Sequence, residues 1–325
     1  MKGRRTGALA VGVVAVLFAA APVLAPNDPR EQFPGHAYAP PMRPRLFENG
    51  ELRRPFVYPV VVVDRLERRF EIDARRPQPI AFFADGRLAS TEGDDPWLLL
   101  GGDSLGRDVF ARLLSAGRLS LGVAIVAVLL TLAIGSLAGA VAASAGGRVD
   151  RLVTALADFT IVLPMTYAVM TLRAAMPLSL SPATIFWTMA VVMALATWPL
   201  PARGVRAILL AERAKGYAEA AYAAGGTPLR ILLRHLLPAA AGHVAIQGLL
   251  LFPAFIFAEA TLSFVGLGFA EPSASWGVML QDAARVSSMV EAPWLLSPAV
   301  AIVLTVLATR MLIDGDRSPT PFTER

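Results

Sequence analysis

Glu219-Ala220-Ala221-Tyr222-Ala223-Ala224-Gly225, then Gly226-Thr227-Pro228 and a basic, apolar run closing on Leu237-Pro238, lies between two long apolar segments. It reads as a polar docking element made of two short helices. The first is predicted from Glu212 through Ala224, stopped by Gly225-Gly226; the second takes Thr227 as N-cap and Pro228 as its first residue and runs to Leu237, where Pro238 ends it. Ala220, Ala221, Ala223 and Ala224 leave the first helix with almost no side-chain bulk, so a groove of another protein can approach its backbone. In the second, Leu229, Leu232, Leu233 and Leu236 are spaced for one apolar face and Arg230 and Arg234 lie four apart on another, a pattern that also suits a helix resting on a membrane surface. The whole connection is longer than two helices need for rejoining.

Outward from this element the chain is that of a membrane protein. Its 325 residues are 55% hydrophobic, with a mean hydropathy of +0.55, too apolar for an ordinary soluble enzyme of this length. A helical span of the hydrocarbon core needs about 20 apolar residues. Six segments qualify, near 7–25, 119–144, 152–172, 183–202, 244–264 and 294–313, and they predict an all-α integral membrane protein with six transmembrane helices. Pro199 and Pro298 fall inside two of them, where neighbouring helices can satisfy the freed carbonyls. The cluster Lys2, Arg4, Arg5 and the small-residue end at Ala21-Pro22-Val23-Leu24-Ala25 would also fit a cleaved signal peptide, but retention as a span agrees better with the distribution of charge.

That distribution sets the predicted orientation. With the N-terminus in the cytoplasm, the inner side holds the three N-terminal basic residues, Arg148 and Arg151, six basic residues between spans four and five, and Arg310, Arg317 and Arg325; the short outer loops hold only Arg173 and Arg285. The long connection 26–118 carries 14 basic and 14 acidic residues and is neutral. The formal charge of +5 is therefore a topology signal, and no basic face interleaved with aromatics points to nucleic acid.

The external connection is rich in Pro and Arg. Phe56-Val57-Tyr58-Pro59-Val60-Val61-Val62-Val63 is strand-like, and Ile80-Ala81-Phe82-Phe83-Ala84 with Asp85-Gly86 reads as a hairpin, so a small β-rich external insertion is expected between helices 1 and 2. Before span two, Asp103 or Ser104 is expected to cap a helix along the membrane surface that presents Val109, Leu113 and Leu114. Gly135 and Gly139, four apart in span two, permit close helix approach. Asp158 in span three and Glu259 in span five are intramembrane carboxylates, open to two readings: braces between helices, or groups near a solute pathway.

Several chemistries are excluded or unsupported. The chain has no cysteine, and its His36, His235 and His243 have no ligand spacing, so they read as solvated or helix-surface imidazoles and no metal is implied. Lys2 and Lys215 are the only lysines and no Gly-x4-Gly-Lys-Ser/Thr loop is present, so a nucleotide cannot be cradled in that way. Neither a Ser/His/Asp set nor a paired His and carboxylate cluster supports an integral membrane enzyme. A self-contained secondary transporter or channel, with Asp158 and Glu259 as relays, is the competing reading.

Glu219, Ala220, Ala221, Gly225, Leu237 and Pro238 together resemble the EAA loop of ATP-binding cassette (ABC) importer permeases, and Arg234-His235-Leu236-Leu237-Pro238 resembles the dipeptide/oligopeptide/nickel branch. Other blocks agree with that branch: Gly102 to Asp108, Asp158 with Pro164, Glu259-Ala260-Thr261-Leu262-Ser263-Phe264-Val265-Gly266-Leu267-Gly268, Trp276-Gly277, and Ala292 to Leu307. The long external insertion and the tail Arg310 with Asp314-Gly315-Asp316 depart from the usual pattern.

The resemblance implies a type I ABC importer permease fold. Residues 1–26 would be the N-terminal stub and first helix, 27–100 the periplasmic insertion, 101–315 the permease core with its cytoplasmic coupling loop 203–243, and 316–325 the cytoplasmic tail. It further implies a peptide permease in a bacterial inner membrane with both termini cytoplasmic, paired with a second homologous permease subunit, two ATPase subunits and an extracytoplasmic substrate-binding protein. ATP and Mg would be bound by the partner subunits and no cofactor by this chain. Glu219, Ala220, Ala221, Gly225, Thr227, Pro228, Leu237 and Pro238 would couple to the ATPase, and Asp158, Glu259, Leu262 and Phe264 would lie near the translocation pathway. The chain itself would catalyse nothing.

Overall fold

The structure is a computed structural model that describes residues 2–48, 50–64, 67–84, 86–93, 95–163, 167, 171, 180–284 and 290–314. Pro164, Arg173, Arg285, Arg317, Arg325, Asp85 and Gly315-Asp316 lie outside the described residues, as does most of the second half of the third predicted span.

Two compact units share the chain: Met1–Gly122 with Ala260–Arg325, and Val123–Glu259. In the first unit, helix α1 (Lys2–Ala19) stops at Ala20 and resumes for one turn as α2 (Ala21–Leu24). The apolar part of α1, Leu9–Ala19, is shorter than the predicted first span. The β region follows: β1 (Arg45–Glu48), β2 (Glu51–Val57), β3 (Val60–Asp64), β4 (Arg69–Ile72), β5 (Gln78–Phe82) and β6 (Ala89–Thr91). They form one sheet in the order β1-β2-β5-β6 and a β3-β4 hairpin, with every pairing antiparallel. The predicted strand-like run 56–63 is thus two strands broken at Tyr58-Pro59, and the predicted hairpin is β5-β6, register Ile80 to Thr91. Ala39, Met42, Val57, Val60, Ile80, Trp97 and Leu98 form its core, and the buried Trp97 indole donates to the Met42 carbonyl at 3.1 Å.

Helix α3 (Val109–Ala145) has 37 residues, about 55 Å at 1.5 Å per residue, so it exceeds the hydrocarbon thickness and continues into the second unit. Among the described residues, no separate surface helix lies directly before it. Its first turn is capped by Asp108, whose Oδ1 accepts from Phe110 N–H at 2.9 Å. Asp103 instead closes the preceding turn, accepting from Leu105 and Arg107 N–H at 2.9 Å each. Val109 and Leu114 are consequently buried. Helix α10 (Trp276–Ala283), a 3-10 turn at Pro293–Leu296 and α11 (Ser297–Asp314) complete the unit. The Phe18 ring meets Trp276 edge-on at 5.2 Å, and Gly7 lies so close to the backbone of Leu312 that no Cβ would fit. The first and last helices therefore pack together.

The second unit contains the rest of α3, then α4 (Gly147–Val162), α5 (Pro182–Thr197) and α6 (Pro199–Arg213). Ser181 caps α5 through its hydroxyl, which accepts from Thr184 N–H at 3.1 Å. α5 and α6 meet at Trp198 with a bend of 45°. Pro199 supplies no N–H and crowds the preceding turn, which makes the bend there. The helix does not end near Ala202 as predicted but runs eleven residues further, to Arg213. Gly135 and Gly139 receive this segment: a Cβ on Gly135 would meet Trp198 O at 2.6 Å, and one on Gly139 would meet Arg206 N at 3.1 Å. The small-residue pair thus serves packing within the chain.

Helix α7 (Gly216–Ala223) and the short α8 (Pro228–Ile231) follow, then a π turn at Leu232–Leu236, a 3-10 turn at Leu237–Ala240 and α9 (Ala241–Phe264). Among the described residues, three helical runs are long and apolar enough to cross a bilayer, Val109–Ala145, Pro228–Phe264 and Pro293–Ile313; the bent α5-α6 pair makes a fourth if counted as one span.

Candidate functional site

The quoted stretch is organised by one small apolar base. Ala140 and Ala143 of α3, Val205 and Leu209 of α6, Ala218 of α7, Ile231 and Leu236 beyond it and Ala240 form a buried cluster, with Ala221, Leu232 and Leu237 packed against it. Burying side chains the size of Ile231, Leu209 and Leu236 stabilises by roughly 1.5–3 kcal/mol each. This is enough to hold a loop with little regular structure of its own.

On that base α7 has an inner edge and an outer surface. Ala218 is fully buried and Ala221 half-buried, three residues apart, while Glu219, Ala220, Tyr222, Ala223, Ala224 and Gly225 are exposed. The helix ends in a Schellman turn: Gly226 N–H donates to Ala221 O at 3.0 Å and Gly225 N–H to Tyr222 O at 3.0 Å. Gly225 takes φ +80°, and a Cβ there would meet nothing within 4 Å, so this chain requires glycine for its left-handed backbone and leaves the space around it open.

The start of α7 is fixed by polar contacts. Lys215 Nζ and the Tyr217 hydroxyl each donate to Glu212, both at 2.7 Å, and Arg213 Nη1 donates to the Ala143 carbonyl at 3.3 Å near the end of α3. Glu212 belongs to the end of α6, and α7 begins at Gly216, so the first predicted helix is two elements broken at Ala214-Lys215. The carboxylate of Glu212 holds the Tyr217 phenol above its ordinary pKa.

The second predicted helix differs more. Thr227 precedes α8 in extended conformation with Pro228 following, as expected, but its side chain makes no capping hydrogen bond. Pro238 does not end the helix. The π turn immediately before it changes the hydrogen-bond register, so the missing N–H and bulky ring of Pro238 are absorbed and the chain continues helically to Phe264. The expected apolar face also divides: Ile231, Leu232 and Leu236 turn to the base, whereas Leu229 and Leu233 stay exposed beside Arg230 and Arg234.

The candidates of the pathway do not share one environment. Asp158 is exposed and ion-paired with Arg203 of α6, while Glu259 is fully buried, Leu262 is buried and Phe264 is partly exposed. Two of the three histidines are less exposed than solvated imidazoles would be. His243 occupies the space beside Gly204 that a Cβ would take, and His36 is half-buried against Phe33; burial lowers its pKa, against the nearby Asp95 charge. His235 is exposed, as expected. No group of three or more metal-ligating side chains occurs among the described residues.

A second cluster lies in the first unit, at the Gly102 to Asp108 block. Arg107 Nε donates to Asp103 Oδ2 at 2.7 Å, its Nη1 and Nη2 donate to Glu271 at 2.7 and 3.0 Å, and Arg112 Nη2 donates to Glu271 Oε1 at 2.8 Å. Burial raises the Glu271 carboxyl, but the hydrogen bond from Arg107 and the charges of Arg112 and Arg107 outweigh it and hold Glu271 below the usual range. Beside them Asp108, fully buried and accepting from Asn27 Nδ2 at 2.9 Å, is pushed up by burial to about 6. A partner for Arg107 164 residues away has no signal in local sequence.

Residues 132–315 match the family described as binding-protein-dependent transport system inner membrane component. A Brucella ovis protein named as a peptide permease is 37% identical over 218 residues, 67% of this chain and 70% of that one. The dipeptide transport system permease protein DppC of Bacillus subtilis is 37% identical over 223 residues, 68% of this chain and 67% of that one. The oligopeptide transport system permease protein OppC of the same organism is 33% identical over 224 residues, 69% and 70% of the two chains. With more than half its length inside the family match and two thirds aligned to these relatives, the chain belongs to the binding-protein-dependent transport system inner membrane components, the permeases of ABC importers.

Proposed function

We propose that this chain is one half of a heterodimeric peptide permease with the type I importer arrangement of six spans, and that it couples the pathway to ATP hydrolysis through α7. The observation that carries the coupling is the arrangement of that helix: the small exposed side chains of Ala220, Ala223 and Ala224 and the open backbone at Gly225, flanked by exposed Glu219 and Tyr222, on an inner edge fixed by Ala218 and Ala221. A surface of this kind lets a cleft of an ATPase subunit approach the backbone closely, and its rigid base turns movement of that subunit into movement of α3, α6 and α9. ATP then biases two states of the pathway because the contact differs between them. Thr227, Pro228, Leu237 and Pro238 belong to the support of this lever, and the exposed Leu229 and Leu233 extend the docking face.

Peptide cargo follows from the relatives, whose names specify peptides, dipeptides and oligopeptides. The excess of Lys and Arg in the predicted inner loops supports cytoplasmic termini, a cytoplasmic loop 203–243 and a periplasmic β insertion, met by an extracytoplasmic binding protein. ATP and Mg then reside on two ATPase partners. Asp158 and Glu259 remain candidates for the pathway wall, together with Leu262 and Phe264 where the two permeases meet.

The test is Gly225→Asp against Gly225→Ala in proteoliposomes carrying the complete importer. Alanine costs only the left-handed backbone, about 1 kcal/mol. Aspartate adds a charge to a surface that is open in this chain but filled in the complex. Gly225→Asp is expected to insert and assemble normally into the membrane yet lose peptide-stimulated ATP hydrolysis and uptake. Normal uptake by that variant would show that α7 is not the coupling element.

A further inference from the structure

One end of the β sheet is fastened to the end of the first helix. The turn between β5 and β6 closes through Phe83 N–H to Leu88 O at 3.0 Å and Arg87 N–H to Ala84 O at 2.9 Å. From it, Leu88 N–H donates to Val23 O at 2.6 Å, and the Arg87 guanidinium donates to the Pro26 carbonyl. The turn is therefore held at the level where the apolar helix stops.

Several described side chains at the turn are apolar and exposed. Phe83 is 80% exposed and Phe82 54% exposed, Leu88 and Val23 are exposed beside them, and neither phenyl ring joins the core of the β region. Phe83 also holds φ +57°, a left-handed conformation uncommon for a bulky side chain. Further exposed apolar side chains lie toward the same end of the sheet. β2 pairs Phe56 with Pro79 and runs antiparallel to β5, so Leu52 lies at the same end of the sheet as Phe82, with Phe47 opposite Leu52 on β1; both are exposed. Down the helix, Leu9, Val13, Val16 and Leu17 are exposed as well, so an apolar strip continues from α1 through Val23 to the turn.

We propose that this end of the sheet is a membrane anchor: Phe82, Phe83 and Leu88 enter the interfacial layer of the external leaflet, with Leu52 and Phe47 beside them. The occupant is lipid because the patch continues the exposed apolar surface of a helix assigned to the bilayer and is tied to that helix by its own backbone. Aromatic side chains favour the membrane interface, and an arginine beside them keeps its charge at headgroup depth. The anchor fixes the height and tilt of the β region above the membrane. It rests on the reading that α1 crosses the bilayer with Val23 at its external end.

The chain has no cysteine, so single-cysteine reporters need no background removal. Val16→Cys and Phe83→Cys, with Leu88→Cys as a second reporter at the turn should the left-handed site not accept cysteine, are nitroxide-labelled in the full-length chain. The labelled chain is placed in nanodiscs of phosphatidylethanolamine and phosphatidylglycerol, and collision rates with oxygen and with a water-soluble nickel chelate are measured. The turn labels are expected to collide with oxygen several-fold more than with the chelate, as the Val16 label does. Turn labels that follow the chelate while Val16 follows oxygen overturn the anchor and leave the spanning helix standing. If all follow the chelate, α1 is not in the bilayer and the anchor falls with it. Turn labels open to the chelate until a substrate-binding protein is added would make the patch a protein docking site, which also overturns the proposal.

Discussion

The α7 surface and the Arg107 cluster treat their chemistry in opposite ways. Around Arg107 the charged groups are spent on one another: buried Asp103, Arg107 and Arg112 pair among themselves and with the partly exposed Glu271, while Asp103 satisfies backbone N–H groups of the turn before α3 and Asp108 one in its first turn. Around α7 the hydrogen bonds stop at its first turn; Ala220, Ala223, Ala224 and Gly225 present backbone and methyl groups to the outside, beside the exposed Tyr222 ring that Arg213 approaches. A cluster that satisfies itself fixes architecture. An exposed surface left open is what the proposed docking would use, and on that proposal the two sites should fail differently when altered.

The largest effect is expected at the closed cluster. Arg107→Ala leaves buried Asp103 and partly exposed Glu271 with only Arg112 to neutralise them, a loss of about 3 kcal/mol for breaking the buried Arg107–Asp103 pair. Thermal unfolding in detergent should move to markedly lower temperature, while the fraction that remains folded keeps its ATPase coupling. An unchanged unfolding temperature would mean that the cluster does not hold the first unit together.

Ala220→Trp should behave in the reverse manner. Its side chain points into open solvent in this chain, so unfolding should barely shift, whereas coupling should fall about tenfold or more, equivalent to at least about 1.4 kcal/mol of lost docking. Loss of stability with intact coupling would remove the contrast between the two regions.

The smallest effect is a pH slope. Asp108 has its carboxyl raised from 3.8 to about 6, so the folded state holds a proton that the unfolded chain has released. The stability this proton contributes is complete below the ordinary carboxylate range and is lost as pH rises through about 6. Glu271, held low, has the opposite sign: its contribution is present above its ordinary pKa and is lost as pH falls through the folded value. Unfolding temperature should therefore decline from about pH 4 to about pH 6 in the wild type and stay flatter in Asp108→Asn, which keeps a capping oxygen for Phe110. Identical slopes would show that Asp108 is ionised when folded.

Much of the candidate site was legible along the chain because its signals are local. The alanines of α7 and the Gly225-Gly226 stop act within one or two turns and lie as the sequence expects, and Thr227-Pro228 starts α8, though without the capping bond expected of Thr227. The errors fell where a neighbour decides. Pro238 was expected to end a helix, but a π turn before it and packing of Leu236 and Ala240 on the base carry the helix onward. Leu229 and Leu233 share a helical spacing with Leu232 and Leu236, yet a base made mostly of alanines is too narrow to cover all four.

Apolar runs and the EAA-like words were sufficient for the membrane class, the family and the place of the short helix α7, since a bilayer and a helix terminus impose rules that act over a few residues. Tertiary structure alone decided that Arg107 joins Glu271, that Gly135 and Gly139 receive α6 instead of a partner, and that Phe83 is turned outward beside Val23. Those pairings join residues scores of positions apart or more, and they are selected by which surfaces can be buried together, a choice that no local pattern of side chains encodes.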